Sequence, residues 1–399
     1  HPPHVIDQLG MYGDLVYNAP GLTDAELLDF YKDASFGTPD ADIERVYSPT
    51  ANVTIVRDAS FGVPHIFGET RYATMFAQGY ATAEDRLFLM DVLRHVGRAR
   101  MSEFLGAAPG NIQMDREQLA VAPYTEADLT AQLDALCSPP PDAEALLGCQ
   151  DLQAYTDGVN QFIDEAIADP VNLLPAEYPA LQQVPADWKR EDTVAIASLV
   201  GGIFGKGGGG ELRNFCGLKA MATTLGSAAT ARAVFDDLHF ANDPEAPTSS
   251  RDAQAYNTNL GPVNPAAHPD IDCASLVGID PMGPPLQSLL DAIINGFSGF
   301  GLGGGMSNAV LIGAKHTKTS RPIAVFGPQT AYFMPQLLVE KDVHGPDIDA
   351  RGVAFAGTDL YVQLGRGRNY AWSATSAGAD NIDQFVLRLC EPGGGTPTV

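Results

Sequence analysis

Three consecutive glycines, Gly303-Gly304-Gly305, stand where the chain changes its periodicity. Ahead of them, apolar residues recur mostly at three- and four-residue steps. Behind them, from Asn308, short β-rich runs alternate with glycine turns. A helical portion followed by a strand portion, rather than the two interleaved, predicts an α+β protein. The helical pattern covers Thr70 to Leu105, where Met75, Phe76, Tyr80, Leu87, Met90, Leu93 and Val96 make the stripe. It returns at Glu144 to Asp169, Arg190 to Gly205, Glu211 to Leu225 and Pro285 to Asn295. The strand pattern covers Ala309 to Gly313, Pro322 to Phe326, Leu337 to Val343, Val353 to Ala356, Leu360 to Leu364, Tyr370 to Thr375 and Gln384 to Leu389, a spacing that suggests an antiparallel sheet.

Asn52 to Asp58 alternates and is β-branched, and the stretch to Gly68 reads as turn and short strand. Residues 1–50 read as a polar, proline-punctuated arm packing on something larger. It holds one helix, Asp24 to Lys32, capped by Thr23. Glu84, Asp85 and Arg86 interrupt the first long apolar stripe and read as a solvated or ion-paired turn. Residues 241–275 are rich in Pro, Asn, Asp and Ser without periodicity, a long loop or an excised spacer. Glu211 follows four glycines; its carboxylate complements a helix dipole or serves as a ligand.

The glycine run ends in Met306-Ser307-Asn308. On these residues alone it is a flexible linker feeding a strand. Chemistry at Ser307 requires that the Met306–Ser307 bond be cut. Ser307 then carries a hydroxyl and a free α-amine, whose pKa of about 7.7–8.0 leaves it partly unprotonated near neutrality. Nucleophile and base would share one residue.

At 399 residues, two domains or one large layered domain is the default. A net charge of −25 argues against nucleic acid and anionic membrane surfaces, whose phosphates need basic partners, and suits calcium. Cys137 and Cys149 bracket a short loop that a disulfide could close, and Cys216 and Cys273 could form a second bridge, leaving Cys390 unpaired; buried free thiols are the competing reading. His1-Pro2-Pro3-His4 has neither the basic start nor the apolar core of a signal peptide, so the N-terminus reads as processed or trimmed. The apolar runs at Thr193 to Gly205 and Leu289 to Met306 are too short or too glycine-rich to span a bilayer, which predicts a soluble protein.

Several motifs fail. Gly296-Phe297-Ser298-Gly299-Phe300 lacks the last glycine of a nucleophile elbow. Gly299, Gly301 and Gly304 fit G-x-G-x-x-G by count but follow a helix pattern. Lys206 lacks the Ser/Thr of a phosphate loop. No histidines stand at metal-ligand spacing, and His65, His316 and His344 read as turn or surface residues.

Ser307-Asn308-Ala309-Val310-Leu311-Ile312-Gly313, Gly327-Pro328-Gln329 and Trp372-Ser373-Ala374-Thr375-Ser376-Ala377-Gly378 together resemble the penicillin acylase family of N-terminal-nucleophile hydrolases. Val56-Arg57-Asp58 with Gly62-Val63-Pro64-His65-Ile66, and Gly79-Tyr80 with Glu84-Asp85-Arg86-Leu87-Phe88-Leu89-Met90, resemble the start of that family's α subunit. The resemblance covers roughly 50–106, 195–220 and 305–390.

The resemblance implies a four-layer αββα sandwich, incomplete here, with a mostly helical α-subunit domain. Residues 1–240 would be α-subunit-like, 241–306 a spacer or linker peptide, and 307–399 the start of a β subunit. Ser307 would be the nucleophile freed by autocatalytic cleavage after Met306. The backbone N–H at Ser376 would donate to the oxyanion, and the main-chain carbonyl of Gln329 would hold substrate and the serine amine. Thr330 and Leu364 would line the acyl pocket. A structural calcium would take Glu211, the carboxylates of Asp380 and Asp383, and the Ile382 carbonyl. The family's second oxyanion donor, an asparagine, and the remaining calcium ligands would lie beyond residue 399. The expected protein is a secreted or periplasmic amidohydrolase acting on a small acyl amide, whether β-lactam, acyl-homoserine lactone or lipopeptide. It would pair with the remainder of its own β subunit. The rival is an uncleaved, inactive, calcium-stabilised extracellular binding protein on the same scaffold.

Overall fold

The computed structural model describes residues 3–23, 25–208, 211–238, 271–273, 307–328, 335–375, 379–382, 386 and 393. The helix expected at Pro285 to Asn295 and the strand expected at Gln384 to Leu389 lie outside the described residues, apart from Val386. The chain divides into two compact units: His1–Lys206 with Pro285–Gly378, and Gly207–Pro284 with Ala379–Val399.

The first unit opens with α1, Gln8–Asn18, and α2, Leu27–Phe30. The sequence pattern missed α1, whose Gly10 and Gly13 lower helix propensity, and overextended α2. Thr23 is not a helix cap in the expected sense: its amide and hydroxyl both donate to the Glu26 carboxylate, at 2.9 and 2.6 Å, and close a turn. Three strands follow: β1 (Ile43–Tyr47), β2 (Val53–Asp58) and β3 (Pro64–Gly68). They pair antiparallel, with Ile55 opposite Ile66 and both fully buried.

The long stripe from Thr70 becomes α3, Arg71–Gly97, whose first turn is capped by the Thr70 hydroxyl accepting from the Ala73 amide. Five more helices follow it: α4 (Met101–Leu105), α5 (Pro109–Val121), α6 (Glu126–Cys137), α7 (Ala143–Ala168) and α8 (Glu177–Ala180). After them comes α9, Arg190–Gly205. Helices α3 and α7 lie almost backbone to backbone. A Cβ on Gly158 would stand 1.9 Å from the Phe76 carbonyl oxygen, and one on Gly79 2.1 Å from that of Tyr155. Only glycine permits this approach. Phe76, Tyr80, Tyr155, Val159 and Phe162 fill the seam and join Ile55, Ile66 and Val339 of the sheet in one core.

Next in chain order come β4 (Lys206–Gly208), α10 (Glu211–Leu225), α11 (Ala228–Leu238), β5 (Ser307–Ile312) and β6 (Ile323–Pro328). Then follow β7 (Leu338–Gly345), β8 (Ile348–Phe355), β9 (Leu364–Arg366), β10 (Ala371–Trp372) and β11 (Ala379–Ile382). The main sheet has seven strands in the order β1-β2-β3-β7-β8-β9-β10. Every pairing is antiparallel except β3 with β7, which runs parallel with His65 opposite Asp342. Of the strands expected after position 307, β7 to β10 are antiparallel to one another and continue onto the strands that precede α3, whereas β5 and β6 form a separate two-stranded antiparallel sheet. Pro346 and Asp347 turn β7 into β8, and Asp347 takes a φ of 63°, which aspartate tolerates. Leu360 to Leu364 is not a strand; only its last residue enters β9. The α+β class read from the sequence is the observed one, with α3 packed on the sheet and α7 on α3.

The second unit holds α10 and α11 and the bridge Cys216–Cys273. Its β11 pairs with β4. Cys137 and Cys149, in the first unit, are also bridged, so the disulfide reading of both pairs holds over free thiols.

Candidate active site

Ser307 is the first residue of β5, and the hairpin with β6 sets its backbone opposite Pro328. The ladder thus ends with Ser307 facing the residue just before Gln329 in sequence. Gln329, Thr330, Ser376 and Asp383 lie outside the described residues. Leu364 is buried in β9 opposite Val353. A groove of about 150 Å³, lined by Gln78, Val343, Asp349, Tyr361, Tyr370 and Trp372 among others, takes in neither Ser307 nor Leu364. The hairpin is apolar on both faces: Val310, Leu311 and Val325 are 57, 74 and 67 % exposed.

Glu211 begins α10 and is exposed. Asp380 and Ile382 lie on β11, beside β4, whose last residue Gly208 stands three before Glu211. Among the described residues no group of three or more His, Cys, Asp or Glu side chains is placed to hold a metal ion.

Elsewhere in the first unit stands a set of buried charges, most of which the sequence did not announce. Arg57 donates to Glu84 at 2.6 Å and to Asp85 at 2.8 Å. Burial pushes the Glu84 carboxyl up, but the Arg57 charge, the Tyr47 hydroxyl and Arg45 together outweigh it and hold the group below its ordinary value. Arg86 leaves the helical range at φ −142°, ψ 20° and turns its guanidinium onto the carbonyl and side chain of Gln336, at 3.2 and 3.1 Å. The Glu84-Asp85-Arg86 interruption is thus the ion-paired alternative, largely buried.

His65 and His344 are not turn or surface residues. His65 is 1 % exposed on β3, between Asp342 at 2.8 Å and Asp58 at 3.2 Å. His344 is on β7, 2.9 Å from Asp342 and 2.5 Å from Asp349, stacked on Phe67. Burial pulls both imidazoles down, and the carboxylates more than offset it, so both are raised. His316 is an exposed turn residue, as expected. Lys341 is 2 % exposed, 2.5 Å from the equally buried Asp359, which also accepts from Tyr155 and Thr82. The available signal was Glu340-Lys341-Asp342, three consecutive charges set between Leu338-Val339 and Val343.

A family model described as Penicillin amidase matches residues 52–398. The chain belongs to this family. Among its relatives is "Penicillin G acylase" of Escherichia coli, 27 % identical over 363 residues, a match covering 85 % of this chain and 40 % of the relative. "Penicillin acylase 2 proenzyme" of Pseudomonas sp. (strain SE83) is 24 % identical, over 86 % of this chain and 38 % of its own. "Acyl-homoserine lactone acylase QuiP" of Pseudomonas fluorescens (strain Pf0-1) is 25 % identical, over 89 % of this chain and 38 % of its own. The chain thus spans about two-fifths of the length of these penicillin amidase relatives. A solved structure, a thermostable penicillin G acylase from Alcaligenes faecalis, is 26 % identical over 53 % of this chain and 100 % of its own, with a TM-score of 0.41.

Proposed function

We propose that the protein is a secreted amidohydrolase in which Ser307, exposed by scission of the Met306–Ser307 bond, is the nucleophile. The observation that carries this reading is a family match running through residue 307, at a serine that heads a strand and faces the residue before Gln329. In maturation the Ser307 hydroxyl attacks the Met306 carbonyl. The peptide becomes an ester, water hydrolyses it, and the products are the Met306 carboxylate and the free Ser307 amine. In turnover that amine accepts the hydroxyl proton while Oγ attacks the substrate amide carbon. The oxyanion takes a hydrogen bond from the Ser376 backbone N–H, the leaving amine carries off a proton, and water then hydrolyses the acyl-serine. Gln329 holds the substrate through its carbonyl, and Thr330 and Leu364 line the acyl pocket.

The relatives' names point to small acyl amides, with a β-lactam, an acyl-homoserine lactone or a lipopeptide as candidate substrates. One name includes "proenzyme", which supports processing. The two disulfides support an oxidising, extracellular or periplasmic location; recovery of the protein only from cytosol would count against it. A β-subunit remainder is the partner assigned to the exposed apolar hairpin, since sheet surface of that kind is normally covered. A calcium ion would sit among the oxygens of Glu211, Asp380, Ile382 and Asp383, a hard donor set that suits it. The pairing of β11 with β4 supports that grouping.

Intact mass and amide turnover of the full-length protein and its Ser307→Ala variant test the core of this. The wild type should give two chains meeting at 306/307, and the variant one inactive chain. Scission or turnover persisting in the variant sinks the assignment, as does an unbroken, inactive wild type, which would be the binding protein instead.

A further inference from the structure

The family match begins at residue 52, so the arm ahead of it needs its own account. One end is pinned to the turn between β2 and β3. The His4 ring fills the space over Gly62, where an added Cβ would meet it at 2.6 Å, and it contacts Asp7 and Glu44. Val5, Lys32, Ser35 and Gly37 of the arm reach residues that follow position 307. Gln336 donates through Nε2 to the carbonyl of the buried Val5 at 2.6 Å. Lys32 is ion-paired with Glu340. Arg351, held by Glu340 at 3.0 Å, donates to the carbonyl of Ser35. The Gly37 amide donates to Asp342 at 2.6 Å, alongside His65.

Phe36 sits amid these bonds. Its ring meets His344 edge-on at 5.2 Å, with the Arg366 guanidinium 4.3 Å and that of Arg368 5.6 Å from its centre. Cations over a ring face at such distances are attracted by its negative π cloud. A solvated tail would not spend backbone amides and carbonyls on partners roughly three hundred residues away in sequence. Within the main sheet, the β3–β7 ladder joins the strands before position 307 to those after it, and the arm runs from one side of that ladder to the other.

We propose that residues 3–42 form an intramolecular clasp, outside the matched family region, that holds β7 to β9 onto the N-terminal strands. The clasp requires no scission. Its consequence after scission, retention of a chain held only by non-covalent contacts, rests on the reading above. The test is therefore made in the Ser307→Ala full chain, where the 306–307 bond stays closed whether or not that reading is right.

Amide hydrogen exchange followed by mass spectrometry should show peptides from β7 to β9 exchanging at least tenfold faster in Lys32→Ala/Phe36→Ala, with α7 unchanged. Unchanged β7–β9 exchange, or equal acceleration in α7, overturns the clasp. Arg366→Ala/Arg368→Ala, at two exposed side chains, offers a second reading. Chymotryptic cleavage at Tyr31 should quicken at least tenfold while α7 exchange holds, and an unchanged cleavage rate also overturns the proposal.

Discussion

Replacing Lys341 by Met should open the sheet where it meets α3 and α7. The ammonium is 2 % exposed and stands 2.5 Å from Asp359. It also donates to the Gln78 carbonyl at 3.0 Å and the Asp359 carbonyl at 3.2 Å. Methionine keeps most of the volume and removes the charge. Among the described residues, Asp359 is then a buried carboxylate held by the hydroxyls of Tyr155 and Thr82 and the Gly357 amide. Deleting one member of a buried pair costs about 3–5 kcal/mol, because the survivor keeps its desolvation penalty. At 1.4 kcal/mol per factor of ten, amide exchange in β7 should accelerate by roughly two to three and a half decades. Adding Asp359→Asn should recover at least about 1 kcal/mol, since the stranded charge goes with it. The measurement is native-state hydrogen exchange of the single and double variants in the Ser307→Ala chain. Less than tenfold acceleration in Lys341→Met, or strictly additive effects, would refute the claim that the pair is coupled.

Stability should also depend on pH through the ladder Asp58, His65, Asp342, His344, Asp349. Lys32, Arg351 and Arg368 are the cations facing it. The two histidines are raised above 6.5, so their contribution is complete below that value and fades as pH climbs through their folded values. Asp58 and Asp342 are lowered, so theirs is complete above about 3.9 and fades as pH falls through their folded values. Melting temperature should therefore peak in mildly acidic buffer and decline toward pH 9; a flat profile, or a His344→Gln variant that declines just as steeply, contradicts the ladder. Calcium, if held as proposed, should protect the pairing of β4 with β11: chelation in the full-length protein should lower the melting temperature and calcium alone should restore it. No response to either treatment removes the metal from the account.

The sequence showed α7, α9 and α10 nearly to the residue because each is long, periodic and bounded by strong punctuation: Asp142 caps α7, and glycines follow α9. Ser307 is a different case: its own neighbours show only a glycine run feeding a strand, the structure begins β5 at that residue, and its role as nucleophile rests on the family resemblance. Gly10 and Gly13 hid α1, because local propensity there points away from the helix that forms.

The charged interior was hidden for a deeper reason. Glu340-Lys341-Asp342 puts charges on both faces of a strand and so marks neither as the buried one, and His65 and His344 look like turn residues, as long as each is read against its neighbours in sequence. For two of these the partners lie elsewhere, Asp342 for His65, 277 residues on, and Gln78 for Lys341, 263 residues back, whereas His344 is held by Asp342 and Asp349 close by in sequence. Burying a lone lysine or histidine beside a carboxylate is unfavourable until both partners and their remaining hydrogen bonds arrive together. Such residues therefore cannot be placed before the long-range pairing of β3 with β7 is known. Once it is known they become informative, because a strand that buries Lys341 and Asp342 at under 3 % exposure tolerates few alternative registers. A slip of one residue along β7 would exchange the faces of these two charges and separate both from their partners. The same side chains that obscured the strand from the sequence thus fix which strand it joins, and at what register.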